Sequence, residues 1–146
     1  MDEVADGLFV GTVEDAGDEA LIRDHGIAAV LSLTHSDPDG GFPPGLAVTD
    51  VPMMDGPRND QRQFDRAVSH VLSHLGTGDT LLVHCSAGAS RSPAVAATAL
   101  ALYDELDLDT AFEQVANRRS AVEPHDAIVR QAVRVHAQYR DTDRGD

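Results

Sequence analysis

Short apolar runs alternate along this chain with longer segments in which apolar residues recur at helical spacing. Four of these runs are short enough to be strands, and they cover residues 8–10, 27–33, 46–51 and 81–83. The segments with helical spacing or composition cover residues 18–25, 62–75, 94–102, 108–119 and 125–139. Strands that alternate with helices form a parallel sheet covered on both faces. The pattern therefore predicts an α/β fold with a mostly parallel central sheet of about four or five strands and helices on both faces.

Length and composition fit a single domain over residues 1–146. A chain of 146 residues, of which 42% are hydrophobic, can bury one sizeable core. Neither an internal repeat nor a linker divides the chain, and the glycine- and proline-rich segment 36–45 is predicted to be a loop.

The segment after the fourth predicted strand, residues 84–92, carries the candidate chemistry. It reads His-Cys-Ser-Ala-Gly-Ala-Ser-Arg-Ser, and Pro93 then opens an alanine-rich helical segment. The loop between strand and helix contains only small residues, which are Ser86, Ala87, Gly88, Ala89 and Ser90. Small residues allow successive backbone N–H groups to turn inward, and the helix N-terminus adds partial positive charge. We expect this loop to bind a tetrahedral dianion.

Two reactive side chains frame the predicted anion site. Arg91 can reach over two oxygens of the same anion with its planar guanidinium. Cys85 would then face the central atom, and the positive surroundings favour a nucleophilic thiolate. The alternative is a buried apolar cysteine, since free cysteines are among the most buried residues. That alternative is disfavoured because a structural cysteine needs neither Gly88, nor Arg91, nor a helix start at these spacings.

Residues 84–92 resemble the His-Cys-x-x-Gly-x-x-Arg-Ser/Thr signature of cysteine-dependent protein tyrosine phosphatases, in particular of their small dual-specificity branch. The resemblance implies that Cys85 attacks phosphorus to form a phosphocysteine, that Arg91 binds the phosphoryl oxygens, and that water releases phosphate. It implies no metal and no other cofactor. It extends more weakly from the Gly-Leu-Phe-Val-Gly run at 7–11 to Gln131.

The same comparison suggests roles for the first and the last residue of the signature, His84 and Ser92. Ser92 can donate a hydrogen bond to the sulfur and make it a better leaving group, although a serine before Pro93 also fits a helix N-cap. His84 is interpreted as a buried residue that orients the loop through hydrogen bonds, because strand alternation points its side chain away from that of Cys85.

A general acid must protonate the leaving oxygen, and Asp55 is the candidate. It lies in Val-Pro-Met-Met-Asp-Gly-Pro directly after a predicted strand, a context that resembles the general-acid loop of the family. A helical segment separates Asp55 from Cys85, so both loops can emerge at one edge of the sheet. Asp50 and Asp60 are the neighbouring alternatives.

Other candidates stay outside the predicted site. Arg118 or Arg119, followed by Pro124 and His125, resembles the last loop of the family, but a surface arginine explains them equally well. The pair of histidines at 70 and 74 could share a metal, yet without a third ligand in register a solvated pair is favoured.

The charge balance is unusual. Asp and Glu number 25, the basic residues number 11 and are all arginine, and the formal net charge is −14. Such a composition resembles that of cytoplasmic proteins from salt-accumulating extreme halophiles, the alternative being an ordinary acidic protein. Nucleic acid and anionic membranes are poor partners because no basic patch is present. The acidic runs at 2–3 and 141–146 are expected to be solvated ends.

Neither a leader segment nor an apolar stretch long enough to cross a bilayer is visible. We therefore expect a cytoplasmic location. With one cysteine no intramolecular disulfide can form and no second thiol can trap an oxidised nucleophile, so we expect activity to require a reducing compartment. A monomer is the default.

The expected partner is a phosphorylated protein. Relatives that act on substrates with several phosphates tend to place lysine inside the loop, where this chain has Ala87 and Ala89. The sequence therefore favours monophosphorylated proteins, first phosphotyrosine and then phosphoserine or phosphothreonine. The alternatives are a phosphatase of small esters, a rhodanese-like sulfur transferase, whose loop is typically one residue shorter, and a non-catalytic phosphopeptide-binding module.

Overall fold

A five-stranded sheet lies at the centre of the computed structural model, which describes the backbone of residues 1–145 and the side chains of residues 1–141. The strands are β1 (Asp2–Ala5), β2 (Leu8–Gly11), β3 (Ala29–Ser32), β4 (Ala47–Asp50) and β5 (Leu81–His84). Their order is β1-β2-β5-β3-β4, and all neighbours are parallel except β1, which runs antiparallel to β2. The predicted mostly parallel sheet is confirmed.

Six helices cover the sheet within the described residues. They are α1 (Val13–Gly17), α2 (Glu19–Asp24), α3 (Gln61–His74), α4 (Arg91–Tyr103), α5 (Leu108–Arg118) and α6 (Asp126–Gly145). Alternate residues of β5 point to opposite faces, so Leu81 and Val83 join the large core with α3–α6, whereas Leu82 joins a smaller core with Ile22 of α2. Helices on both faces are thereby confirmed. No helix over the described residues combines the length and apolarity needed to cross a membrane.

Helix α4 is the central helix of the large core. Its residues 92–101 are all buried, and it contacts α3, α5 and α6. Alanine side chains let three helices pack closely around it, and a helix that is apolar all round is stable only when enclosed in this way. The start of α4, where the candidate loop ends, is therefore held rigidly.

Two elements at the amino-terminal end were not predicted. The acidic pair at 2–3 is not a solvated end, because it belongs to β1, and Asp2 forms an ion pair with Arg119 at 2.9 Å. The strand escaped prediction because only Val4 in it is buried. Helix α1 begins with a capping box in which Thr12 and Asp15 bond each other's backbone N–H at 3.0 Å. The other acidic run, 141–146, lies outside the described side chains beyond residue 141.

Candidate active site

The loop between β5 and α4 lies at the carboxyl edge of the parallel strands, where the connections after β2 and β3 also emerge. Gly88 allows the loop its sharp turn. Its φ is +65°, a conformation that strains other residues, and a Cβ at this position would come within 2.7 Å of the Gly11 carbonyl oxygen. The close approach of two backbone segments therefore requires glycine here.

Each backbone carbonyl of residues 86–90 accepts a hydrogen bond from a donor outside the ring of the loop and therefore points outward. The donors are Val13 N to Ser86 O (3.2 Å), Arg119 Nη2 to Ala87 O (3.3 Å), Arg119 Nε to Gly88 O (2.8 Å), Glu123 N to Ala89 O (2.7 Å) and Ala94 N to Ser90 O (3.1 Å). In a trans peptide the N–H points opposite to the C=O, so the N–H groups of residues 87–91 face inward. Over the described part of the chain, none of them donates to a protein acceptor. The loop is a ring of free donors suited to an oxyanion.

Cys85 lies at the floor of this ring and is only 2% exposed. Its burial alone would also suit a structural cysteine. Its polar contacts distinguish it, since Sγ is 3.1 Å from Ser92 Oγ and 3.4 Å from Ser92 N. Ser92 is the second residue of α4, and Ser90 occupies the N-cap position. The alternative interpretation of Ser92 as the N-cap is therefore wrong, and its hydroxyl is directed at the sulfur instead.

Arg91 joins the two neighbouring loops. Its Nη1 donates to Met53 O at 2.8 Å and its Nη2 to Ser86 Oγ at 3.0 Å. Its Nε is buried and has no partner among the described residues. A cleft of about 550 Å³, whose other walls are α1 and residues 34–39, opens onto Ser86 and Arg91.

Among the three candidate general acids, the structure brings Asp55 to the loop. Its Oδ1 accepts a 2.6 Å hydrogen bond from Ser90 Oγ, and the same hydroxyl accepts one from His125 N at 2.9 Å. Asp60 instead caps α3 and pairs with Arg62, while Asp50 ends β4, two strands from β5.

A buried pair of amides supports the Asp55 loop and was not anticipated from the sequence. Asn59 Oδ1 accepts a hydrogen bond from Met54 N at 2.9 Å, and Asn59 Nδ2 donates to Gln131 Oε1 at 2.8 Å. Gln131 Nε2 returns a bond to Asn59 O at 2.6 Å. Because the partners lie 72 positions apart, no local pattern could have paired them.

His84 lies fully buried beneath the loop, on the sheet face opposite Cys85. Burial lowers its pKa, so the ring is neutral near pH 7. Nδ1 lies 3.3 Å from Cys85 O, an acceptor, so this nitrogen carries the proton. The hydrogen bond directs another carbonyl outward, and the orienting role of His84 stays a prediction.

Arg119 contacts the loop, although the sequence alone does not assign it to the predicted site. Its side chain is 11% exposed and bonds Ala87 O, Gly88 O, Val10 O and Asp2. Arg118, in contrast, is exposed and makes no hydrogen bond or ion pair within the described residues. The two neighbouring arginines could not be told apart from the sequence.

The two histidines on α3, His70 and His74, lie side by side with ring centroids 4.8 Å apart. Among the described residues, no three His, Cys, Asp or Glu side chains are grouped so that they could hold a metal ion.

Comparison with known sequences points to one family. The family model described as "Dual specificity phosphatase, catalytic domain" matches residues 8–138. The chain is 32% identical over 123 residues to dual specificity phosphatase 28 of Mus musculus, a match that covers 84% of this chain and 75% of that protein. It is 34% identical over 121 residues to human dual specificity protein phosphatase 12, covering 79% of this chain and 35% of the relative. The chain thus spans about a third of the length of that relative.

Solved structures show the same architecture. The crystal structure of human DUSP28 aligns with a TM-score of 0.87 at 26% identity, covering 97% of this chain and 99% of that chain.

Proposed function

The chain belongs to the dual specificity phosphatase family, and we propose from this that residues 1–146 form one catalytic domain of a cysteine-dependent phosphoprotein phosphatase. Its substrates are phosphotyrosine and also phosphoserine or phosphothreonine in proteins. The observation that carries the proposal is the loop between β5 and α4, where Cys85 precedes a run of inward-facing N–H groups and Arg91 donates to Ser86 of the same loop. The proposed reaction uses no metal or other cofactor.

In the first step the Cys85 thiolate attacks phosphorus. The S–P bond forms as the P–O bond to the leaving group breaks, and a proton from the Asp55 carboxyl neutralises the departing oxygen. The inward N–H groups and the guanidinium of Arg91 bind the three remaining oxygens, whose charge they stabilise in the transition state. The helix N-terminus stabilises the thiolate before attack.

In the second step water attacks the phosphocysteine. Asp55, now a carboxylate, takes a proton from the water while the S–P bond breaks and inorganic phosphate forms. Ser92 Oγ, 3.1 Å from the sulfur, donates a hydrogen bond to the thiolate as it leaves. Cys85, Ser92 and Asp55 thereby return to their starting states.

The charge of the loop favours substrates that carry a single phosphate group. Its only cationic side chain is Arg91, since Ala87 and Ala89 occupy positions where a second cation would bind a second phosphate. An assay without added metal and with a chelator tests the proposal on p-nitrophenyl phosphate, a phosphotyrosine peptide, a phosphoserine peptide and an inositol polyphosphate. We expect turnover of the first two, slower turnover of the third, and none of the last. Turnover of the inositol polyphosphate alone would contradict a protein substrate.

We further propose that the protein works in a salt-rich, reducing cytoplasm. The net charge of −14 and the absence of lysine support this, because at about 1 M salt the Debye length falls to about 3 Å and screens the self-repulsion. A lone nucleophilic thiol without a second cysteine also requires reducing conditions. The urea midpoint should rise when potassium chloride is increased from about 0.1 M to about 1 M. An unchanged midpoint excludes salt adaptation.

A further inference from the structure

We propose that Arg119, oriented by Asp2 of β1, is a positioning residue that keeps the loop between β5 and α4 in its anion-binding conformation. It does so by holding two consecutive loop carbonyls outside the ring. The inference rests on the proposed phosphatase function and extends it to a residue that touches neither the sulfur nor the general acid.

The hydrogen bonds of Arg119 are directed at the backbone of the loop. Nε donates to Gly88 O at 2.8 Å and Nη2 to Ala87 O at 3.3 Å. Each of these carbonyls belongs to a peptide whose N–H, that of Gly88 or Ala89, points into the ring. Two of the inward N–H groups therefore keep their direction because one guanidinium holds the opposite ends of their peptides.

The third guanidinium nitrogen of Arg119 forms hydrogen bonds to residues of the sheet. Nη1 donates to Val10 O at 3.3 Å and to Asp2 Oδ2 at 2.9 Å. The planar fork of arginine can satisfy acceptors on three sides at once, whereas the single ammonium group of lysine cannot. With a side chain that is 11% exposed, Arg119 is shielded from the solvent that would weaken these bonds.

The absence of a side chain at Gly88 leaves room for the guanidinium of Arg119. A Cβ at Gly88 would collide with Nη2 of Arg119 as well as with the Gly11 carbonyl. The guanidinium thus packs directly against the backbone at the turn of the loop. Asp2 pairs with the charge of Arg119, so geometry, rather than long-range attraction of phosphate, is the contribution that we assign to it.

The test compares Arg119→Met, Arg119→Lys and Asp2→Ala with Arg118→Met as the matched control, because Arg118 is adjacent, exposed and unbonded in the described region. Each folded variant is titrated with inorganic phosphate by calorimetry and assayed on p-nitrophenyl phosphate, and thermal unfolding is recorded. We expect Arg119→Met to weaken phosphate binding and to lower kcat/KM about 10²-fold, in line with a loop displaced by about 1 Å. Arg119→Lys should retain a small part of the wild-type phosphate affinity and kcat/KM. Asp2→Ala should lower both quantities less than Arg119→Met does.

In Arg119→Met the dependence of kcat on the leaving group should be the same as in the wild type, since Arg119 does not contact Asp55. If Arg119→Met changes only the unfolding temperature and binds phosphate as Arg118→Met does, the positioning role is wrong. Should Arg119→Met fail to fold, Asp2→Ala decides the matter, and wild-type phosphate affinity in that variant overturns the proposal. A wild type that binds phosphate but turns over no ester refutes the phosphatase function instead, while the binding comparison still tests Arg119.

Discussion

The carboxyl of Asp55 accepts a 2.6 Å hydrogen bond from Ser90 Oγ in the loop between β5 and α4. The two residues are 35 positions apart, and Ser90 Oγ also accepts the His125 N–H. One hydroxyl therefore connects the loop after β4, the loop before α4 and the start of α6. The other oxygen of Asp55 makes no bond to the described residues, and we propose that this oxygen protonates the leaving group.

Asp55→Asn should slow the hydrolysis of esters with poor leaving groups far more than that of activated aryl phosphates. Only the former need a proton in the transition state, and loss of a general acid typically reduces the rate about 10²- to 10⁴-fold. The measurement is kcat across a series of aryl phosphates with different phenol acidities. Asp60→Asn is the matched control and should behave as wild type, because Asp60 caps α3. Equal slowing of all esters by Asp55→Asn argues against the assignment.

Ser92→Ala should slow the breakdown of the phosphocysteine more than its formation. The leaving sulfur then loses the hydrogen bond from an oxygen 3.1 Å away. We expect a pre-steady-state burst of p-nitrophenol followed by a slow phase, observed by stopped flow. Thr98→Ala removes another buried hydroxyl of α4, one that donates to Ala94 O, and should show no such burst. Identical kinetics in the two variants exclude a role of Ser92 at the sulfur.

Loss of the buried amide pair should weaken both stability and the acid-assisted step. Asn59→Ala leaves the Gln131 amide buried without its partner, which costs about 1–3 kcal/mol. Gln131→Ala should cost a similar amount, and the double variant should cost less than the sum because the two residues share their bonds. Urea unfolding of the three variants measures this. Additive effects contradict a coupled pair.

Stability should fall in mild acid because of buried histidine. Burial lowers the pKa of His84, and those of His70 and His136 as well. Below about pH 6.5 the unfolded chain therefore binds more protons than the folded chain, so this stability is present above that pH and is lost as the pH falls. The urea midpoint should decrease between about pH 7.5 and about pH 5.5.

His84→Asn keeps a donor near Cys85 O and should reduce this decrease, whereas His35→Asn, at an exposed position, should not. An equal decrease in both variants shows that His84 does not contribute.

Much of the fold follows from local patterns in the sequence. Strands such as β5 were predicted because short aliphatic runs need burial on both faces, and the alanine-rich α4 because its composition favours helix. The loop was predicted because Cys85, Gly88 and Arg91 lie within one short segment. Helix α1 was missed even though Thr12 and Asp15 have the spacing of a capping box.

The support around the loop could not be predicted in this way. Arg119 binds Gly88, 31 positions away, and Asp2, 117 positions away. Such pairs are set by how the sheet and helices pack, and neither periodicity nor spacing encodes them. The acidic residues of β1 resembled a solvated end for the same reason, since the partner of Asp2 lies near the other end of the chain.

The most direct test of the account is the hydrolysis of p-nitrophenyl phosphate at molar salt by the wild type and by Cys85→Ser, with phosphate binding measured for both. We predict metal-independent turnover by the wild type and none by Cys85→Ser, which should still bind phosphate through the inward N–H groups and Arg91. Turnover that survives in Cys85→Ser would contradict the assignment of the sulfur as the nucleophile.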